Sequence, residues 1–272
     1  MGIQRHKMKL ILCADDFGQS EAIDSAIIEL IKKDRLSATS CMTLSPRWPE
    51  AAKTLTSSIK NKAAIGLHLD FTHFGMSIRH PKLVLLSLGR QLSKTSIKQS
   101  IDQQLDAFEA AVGNAPDYID GHQHVHQLPQ IREVLLETLL NRYGNNLPWL
   151  RIAKPPIRDG FKGLIIRALG SNALEKKAKA LGFQCSGNLL GAYGFNGSSE
   201  DYLKRLKGWL KEVKKGLATP VLMCHPAINL PSKNSKDIDV IFNARTIEFK
   251  VLASNEFTKA LKGFLLVKSP TD

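Results

Sequence analysis

Met8-Lys9-Leu10-Ile11-Leu12-Cys13-Ala14, followed at once by Asp15-Asp16-Phe17-Gly18, opens the ordered pattern of this chain. The apolar run has the length and composition of a buried strand, and two carboxylates stand where it ends. The arrangement recurs: Ala63 to Leu69 contains Gly66-Leu67-His68-Leu69, and Tyr118 to Gly121 runs into His122-Gln123-His124-Val125-His126. Between such runs lie helical patterns, the first being Glu21 to Lys33 with Ile23, Ile27, Ile28 and Ile31 inward. Strands alternating with helices mark βαβ units and a mainly parallel sheet. No GxGxxG or phosphate-binding loop follows the first run, which argues against a doubly wound nucleotide-binding sheet. The expected fold is α/β, a distorted (β/α) TIM-like barrel of seven or eight strands.

The rest of the chain continues the alternation. Ala38 to Leu44 reads as a strand, a short helix starts at Pro49, and Ser96 to Val112 and Pro129 to Tyr143 read as helices. Trp149 to Ile152 is a strand, Phe161 to Leu181 helical, Phe183 to Ser186 a weak strand and Thr219 to Cys224 a stronger one. Two helices and a last strand, Gly263 to Lys268, close the pattern. Asp70 to Thr95 is too long for an ordinary connection and is expected to be an irregular substrate loop. Gly187 to Gly197, with Tyr193 and Phe195 among its glycines, is either an aromatic loop able to stack on a sugar ring or a loosely packed connection.

At 272 residues and 43% hydrophobic, the chain is expected to form one domain over residues 1–272, with residues 1–7 a disordered extension. The net charge of +13 raises nucleic acid as a partner. The lysines, however, fall on helix faces: in Tyr202 to Leu217 the stripe Leu203, Leu206, Leu210, Val213 and Leu217 is surrounded by Lys204, Lys207, Lys211, Lys214 and Lys215. With no zinc-finger spacing or RNA-binding strand motif, nucleic acid is not expected; a solvated helix face is the simplest reading of the charge, and attraction to anionic glycans or peripheral contact with an anionic membrane are its alternative uses. Neither a secretory leader nor about 18 consecutive apolar residues occurs, so a cytoplasmic protein is expected. Cys13, Cys41, Cys185 and Cys224 are scattered without a CxxC partner and read as buried reduced thiols.

Chemistry gathers at the strand ends, where Asp15, Asp16, His68, His122, Arg151 and His225 all lie. Adjacent carboxylates repel and are tolerated where a cation relieves the repulsion. Ser20 with Glu21 is the better helix cap, which leaves Asp15 and Asp16 available, one to hold a divalent metal and the other to accept a proton. Asp16, His68 and His122 form a two-His, one-carboxylate set with open positions, as catalytic metals require. His122, His124 and His126 share one side if extended, and His122 and His126 one face if helical.

Taken together, Ala14-Asp15-Asp16-Phe17-Gly18, Gly66-Leu67-His68-Leu69, Asp120-Gly121-His122-Gln123-His124-Val125-His126, Leu150-Arg151-Ile152 and Cys224-His225-Pro226 resemble the YdjC-like carbohydrate deacetylases, the group that contains the chitooligosaccharide deacetylases. The resemblance runs from Lys9 to about Leu266, and Arg245 to Ser254 looks like the family's late helix. It implies a barrel of the glycoside hydrolase/deacetylase superfamily type and removal of acetyl groups from N-acetylated sugars. It also implies one divalent metal, magnesium or zinc first and manganese, cobalt or nickel next, on Asp16, His68 and His122. Asp15 would be the base that deprotonates water activated by the metal, protonated His225 the acid for the leaving amine, and Arg151 the residue that orients Asp15. His124 and His126 would stand behind the ligands or touch substrate, and Asp70 would add a carboxylate near the metal or form a loop salt bridge. The substrate would be a small molecule or oligosaccharide, or the sugar of a glycolipid, and a homodimer is compatible with the sequence. Another metal-dependent hydrolase, such as a phosphodiesterase, is the competing function.

Overall fold

The computed structural model describes residues 7–157, 160–214, 217–230 and 239–272, so of the expected extension at residues 1–7 all but Lys7 lies outside the described residues. β1 (Met8–Phe17) leads into α1 (Glu21–Lys32), and β2 (Ala38–Cys41) into α2 (Trp48–Ala52) and α3 (Ser57–Lys62). β3 (Ala64–Leu69) is followed by α4 (His80–Leu88) and α5 (Lys94–Val112). β4 (Tyr118–Gly121) passes through a 3-10 turn, His122–Gln127, into α6 (Ile131–Tyr143) and β5 (Trp149–Leu150). Then come α7 (Gly160–Ala168), α8 (Ser171–Ala180), β6 (Leu189–Leu190), α9 (Ser199–Leu210), β7 (Val221–Cys224), α10 (Phe242–Leu252), α11 (Asn255–Ala260) and β8 (Phe264–Leu266).

The eight strands form one sheet, β5-β4-β3-β2-β1-β7-β6 with β8 beside β1, and each pairing is parallel. A bridge between Leu150 and Cys185 ties the chain entering β6 to the far edge of the sheet. Leu150 N donates to Gln184 O at 2.9 Å and Ser186 N returns a bond to Leu150 O at 3.0 Å. The sheet therefore curls back on itself into the expected distorted, TIM-like barrel. Among the described residues no helix is long and apolar enough to cross a membrane.

Both faces of β1 are buried because the curled sheet has an inside and an outside, and its side chains sort between them with the two-residue period of a strand. Leu10, Leu12 and Ala14 pack outward with Ile23, Ile27 and Ile31 of α1 and the other helices. Ile11 and Cys13 pack inward with Ala38, Ala64, Tyr118, Trp149, Val221 and Met223. Small side chains from β2 and β3 make room for the stacked rings of Tyr118 and Trp149, 4.3 Å apart, so this interior is filled. Ser20 caps α1 as expected, its side chain accepting from Ile23 N.

Several boundaries differ from the sequence expectations. Asp70 to Thr95 is not irregular throughout, since Pro81 at the first turn starts α4 inside it. Helix Phe161 to Leu181 is broken at Gly170, which adopts φ +130; a Cβ there would lie 2.3 Å from Gln127 O, so the chain turns where only glycine fits. The helix after Ser198 ends at Leu210 and turns Tyr202, Leu206, Trp209 and Leu210 to the core, leaving Leu217 exposed rather than in the stripe. The weak strand at Phe183 to Ser186 reduces to the single bridge at Cys185, and the paired strand forms later, at Leu189–Leu190.

Candidate active site

Extending the inward period of each strand by one further step gives the upper layer of the barrel. Above Cys13 stands Asp15, above Ala38 Ser40, and above Gly66 His68; Tyr118 is followed by Asp120, Trp149 by Arg151, and Met223 by His225. These side chains are bound to one another. Arg151 forks onto Asp15, with Nη1 2.6 Å from Oδ1 and Nη2 2.8 Å from Oδ2, and its Nη1 lies 2.9 Å from Asp120 Oδ2. Ser40 Oγ is 3.3 Å from Asp15 Oδ1 and 3.1 Å from His68 Nδ1.

Asp16 breaks the period. In a regular strand it would face away from Asp15, but the β1–β2 register shifts between Ala14 and Phe17 and Asp16 takes φ +70. Aspartate tolerates this left-handed backbone better than most residues, and a bulge of this kind re-aims a side chain. The turn is pinned from below by Asp24, whose Oδ1 accepts Gly18 N at 2.6 Å while Oδ2 accepts Arg47 Nε at 2.6 Å. Asp16 Oδ1 thereby comes within 3.4 Å of His68 Nε2 and 3.1 Å of His122 Nδ1.

Asp16, His68 and His122 each offer one donor atom, and the three lie within 4.8 Å of one another. The set fits a divalent cation for a reason beyond distance. His68 Nδ1 lies 2.6 Å from Asp120 Oδ1, which leaves Nε2 facing Asp16 as the nitrogen that would exchange its proton for an ion, and a carboxylate behind a ligating imidazole is how metal-binding histidines are oriented. A second acidic group, Cys13, Asp15 and Asp120, already surrounds the Arg151 guanidinium, so a fixed side-chain cation holds that position.

The charges are set by burial and by these partners. Burial alone would raise the Asp15 carboxyl, but Arg151 overrides it and holds the group well below the usual carboxylate range. Asp16 is likewise held far down against its burial, chiefly by Arg245 and then by the imidazoles. Burial would lower His68, yet Asp120 and Asp15 raise it to about 10, so the metal-free site keeps a proton there. Burial takes His225 down to about 4, so this imidazole is neutral at rest. Its Nε2 is 3.8 Å from Asp15 Oδ2.

These groups open into a cavity of about 460 Å³. His122 is part-exposed on its wall, and His124 also lines it. The imidazole run is neither extended nor helical: Gln123 and His124 both take left-handed backbone, φ +52 and +62. His126 folds beneath, fully buried, with Nε2 2.8 Å from Arg151 O. Gly121 permits this, since a Cβ there would lie 2.9 Å from His126 N. Asp70 forms no ion pair among the described residues; against its burial, His122 and the loop N–H groups lower its carboxyl, which accepts the backbone N–H groups of Thr72, His73, Phe74 and Gly75 and shapes the loop after β3. Tyr193 is tied to Glu248 Oε1 at 2.7 Å and packs on Tyr202 and Trp209, while Phe195 presents its ring to His225, centroids 5.1 Å apart.

Among the residues of the site not singled out from sequence are Asp120, Arg245, Glu248, His73 and His80. Asp120 shares the inward parity of Tyr118, and His73 and His80 lie in the long stretch after β3, so local signals existed for these three. Arg245, whose Nη2 is 2.7 Å from Asp16 Oδ2, and Glu248, which accepts His225 N, arrive on a helix remote in sequence.

A family model described as "YdjC-like protein" matches residues 9–263. The chain is 28% identical over 276 residues to a chitooligosaccharide deacetylase of Serratia marcescens, covering 94% of this chain and 96% of that one. It is 26% identical over 178 residues to a human carbohydrate deacetylase, covering 59% of this chain and 52%, about half, of the human protein. A crystal structure of a protein from Enterococcus faecalis V583 superimposes with a TM-score of 0.69 at 23% identity, covering 96% and 97% of the two chains, and shares the fold.

Proposed function

From the fact that the chain belongs to the YdjC-like family, we propose that it is a metal-dependent carbohydrate deacetylase, hydrolysing the acetamide of an N-acetylated sugar. The observation that carries this reading is the convergence of Asp16, His68 and His122, from β1, β3 and the turn after β4, on one point of the cavity wall. A phosphodiesterase could use the same donors, but the relatives named for an activity are deacetylases.

A divalent ion held by these three side chains would supply Lewis acidity to water and to an amide carbonyl. Two imidazoles and one carboxylate suit zinc better than magnesium, which prefers all-oxygen surroundings, and we assign zinc. Asp15 accepts the proton of the attacking water. Its two oxygens are fixed by Arg151, so the carboxylate stays ionised and cannot turn away. Such a strongly stabilised carboxylate is a weak base, and it would suffice where a divalent ion held beside it lowered the pKa of the water. His225 Nε2, neutral at rest and 3.8 Å from Asp15 Oδ2, receives the proton that Asp15 has taken from water and passes it to the leaving nitrogen, which departs as an amine.

Residues 7–272 are read as one domain because a single apolar cluster includes residues from Leu10 to Phe257. We place the protein in the cytoplasm, a location that suits its four free cysteines. The test is elemental analysis of purified protein together with an acetate-release screen over N-acetylated oligosaccharides and glycolipids. Zinc near one per chain, with acetate released by the wild type and both lost in Asp16→Ala, His68→Ala and His122→Ala, is the expected result. Acetate release that persists in metal-free protein would sink the proposal.

A further inference from the structure

α10 carries two charged side chains one turn apart, and neither is spent on solvent. Arg245 is 3% exposed and Glu248 0%, and their i, i+3 spacing sets them on one face of the helix. Each turns its charge to a different strand end. Arg245 Nη2 donates to Asp16 Oδ2 at 2.7 Å and reaches Gln19 Oε1 at 3.3 Å, while its Nε donates to Asp239 Oδ2 at 2.6 Å. Glu248 Oε2 accepts the backbone N–H of His225 and Oε1 the Tyr193 hydroxyl.

Burying such groups costs several kcal/mol each, and well-packed apolar residues of similar size are often the more stable choice. Val251 and Leu252 on the same helix show that alternative in use. For Glu248 the cost is plain, since burial pushes its carboxyl up to about 7. Buried charge retained beside reacting groups is characteristic of functional sites.

We propose that Arg245 and Glu248 are a pair of positioning residues: Arg245 holds back one oxygen of Asp16 so that a single oxygen faces His68 and His122, and Glu248 fixes the His225 backbone together with the Tyr193 to Phe195 wall. The assignment rests on the roles given above to Asp16 and His225. Asp16 shows the division directly, with Oδ1 toward both imidazoles and Oδ2 on the guanidinium. Phe195, two residues beyond the tyrosine that Glu248 binds, is the ring set edge-on to His225. α10 also docks without these side chains, through Ala227 N to Arg245 O at 3.2 Å and through buried Val251 and Leu252, so single substitutions leave it in place.

The test combines zinc affinity of metal-stripped protein, measured by competition with a chromophoric chelator, with kcat and KM for acetate release and histidine ring resonances by NMR. Arg245→Met should weaken zinc binding about tenfold or more, and Arg245→Lys, which keeps the charge beside Asp16, should recover most of that loss. Glu248→Gln should leave zinc affinity within about threefold, shift the His225 resonances but not those of His68 or His122, and lower kcat about tenfold with little change in KM. Wild-type zinc affinity in Arg245→Met, or unmoved His225 resonances in Glu248→Gln, overturns the corresponding half. If both variants lose zinc, turnover and thermal stability in proportion, the pair is only structural and the proposal fails. A wild type that binds zinc through Arg245-dependent geometry yet releases no acetate would instead refute the deacetylase reading and leave the positioning roles standing on the affinity and NMR data.

Discussion

Arg151→Met is the sharpest probe of the site's electrostatics, because it removes charge from the barrel interior while leaving a side chain of similar bulk. Arg151 is fully buried, forks onto Asp15 at 2.6 and 2.8 Å and lies 2.9 Å from Asp120. Two charge-assisted hydrogen bonds to Asp15 at about 1.5–3 kcal/mol each set a gross ceiling of roughly 3–6 kcal/mol, to which the Asp120 ion pair adds. Part of that is recovered when a stranded carboxyl takes up a proton, so the expected loss is about 3–5 kcal/mol, the range for breaking a buried pair from one side. The pH dependence gives a sign as well as a size. In the wild type Asp15 is held below its unfolded value, so its contribution is complete above about pH 4 and is lost only as pH falls through the folded pKa. Without the guanidinium the strongest opposition to burial is gone and His68 is the chief group left to hold the carboxyl down, so the carboxyl rises above its unfolded value and the folded variant binds the extra proton. Urea unfolding of metal-free wild type and variant at pH 5, 6.5 and 8 should therefore show a stability gap that widens as pH rises. A gap below about 1 kcal/mol at pH 6.5, or one that narrows toward pH 8, would refute the claim that Arg151 is what keeps Asp15 ionised.

Asp15→Asn should retain zinc and lose roughly 10²–10⁴-fold in turnover, the usual cost of a general base, as read by acetate release; turnover near wild type would remove Asp15 from that role. Burial holds His126 at about 4 against an unfolded value near 6.5, so its folded state binds fewer protons and stability is lost as pH falls from about 6.5 to 4. Between pH 7 and 5 this amounts to about 2 kcal/mol, and His126→Gln should show a correspondingly smaller fall in urea midpoint. Gly121→Ala places a Cβ 2.8 Å from His126 Nδ1 and 2.9 Å from its backbone nitrogen, and should cost about 1–3 kcal/mol by overpacking, seen as a lower Tm.

How far the site could be read from sequence follows from how far each determinant acts along the chain. Strand parity is local. Once Ile11 and Cys13 are inward, Asp15 follows, and the same two-residue step links Tyr118 to Asp120 and Met223 to His225. The barrel and most of its upper layer were therefore legible, and Asp120 was within reach of the same reasoning. The charges on α10 were not, because no local pattern in Arg245-Thr246-Ile247-Glu248 says that this helix returns to the end of β1, more than 200 residues earlier. The loop-shaping bonds of Asp70 were out of reach for a related reason: four backbone N–H groups donate to its carboxylate, and which loop conformation supplies them is decided by the fold around it.

Asp15 and Asp16 lie between these cases. Two neighbours on a regular strand cannot both face one site, since the pleat sends them to opposite sides. If both belong to the same chemistry, the strand has to be irregular between them, and the irregularity must fall on a residue that accepts left-handed backbone. Asp16 at φ +70, with the register slip from Ala14 to Phe17, meets that requirement. Adjacent functional residues closing an apolar run thus predict a bulge before any coordinates are seen, and Asp16→Ala should lose the donor oxygen and also tax the bulge itself, by about 1 kcal/mol or more where alanine must hold a left-handed φ.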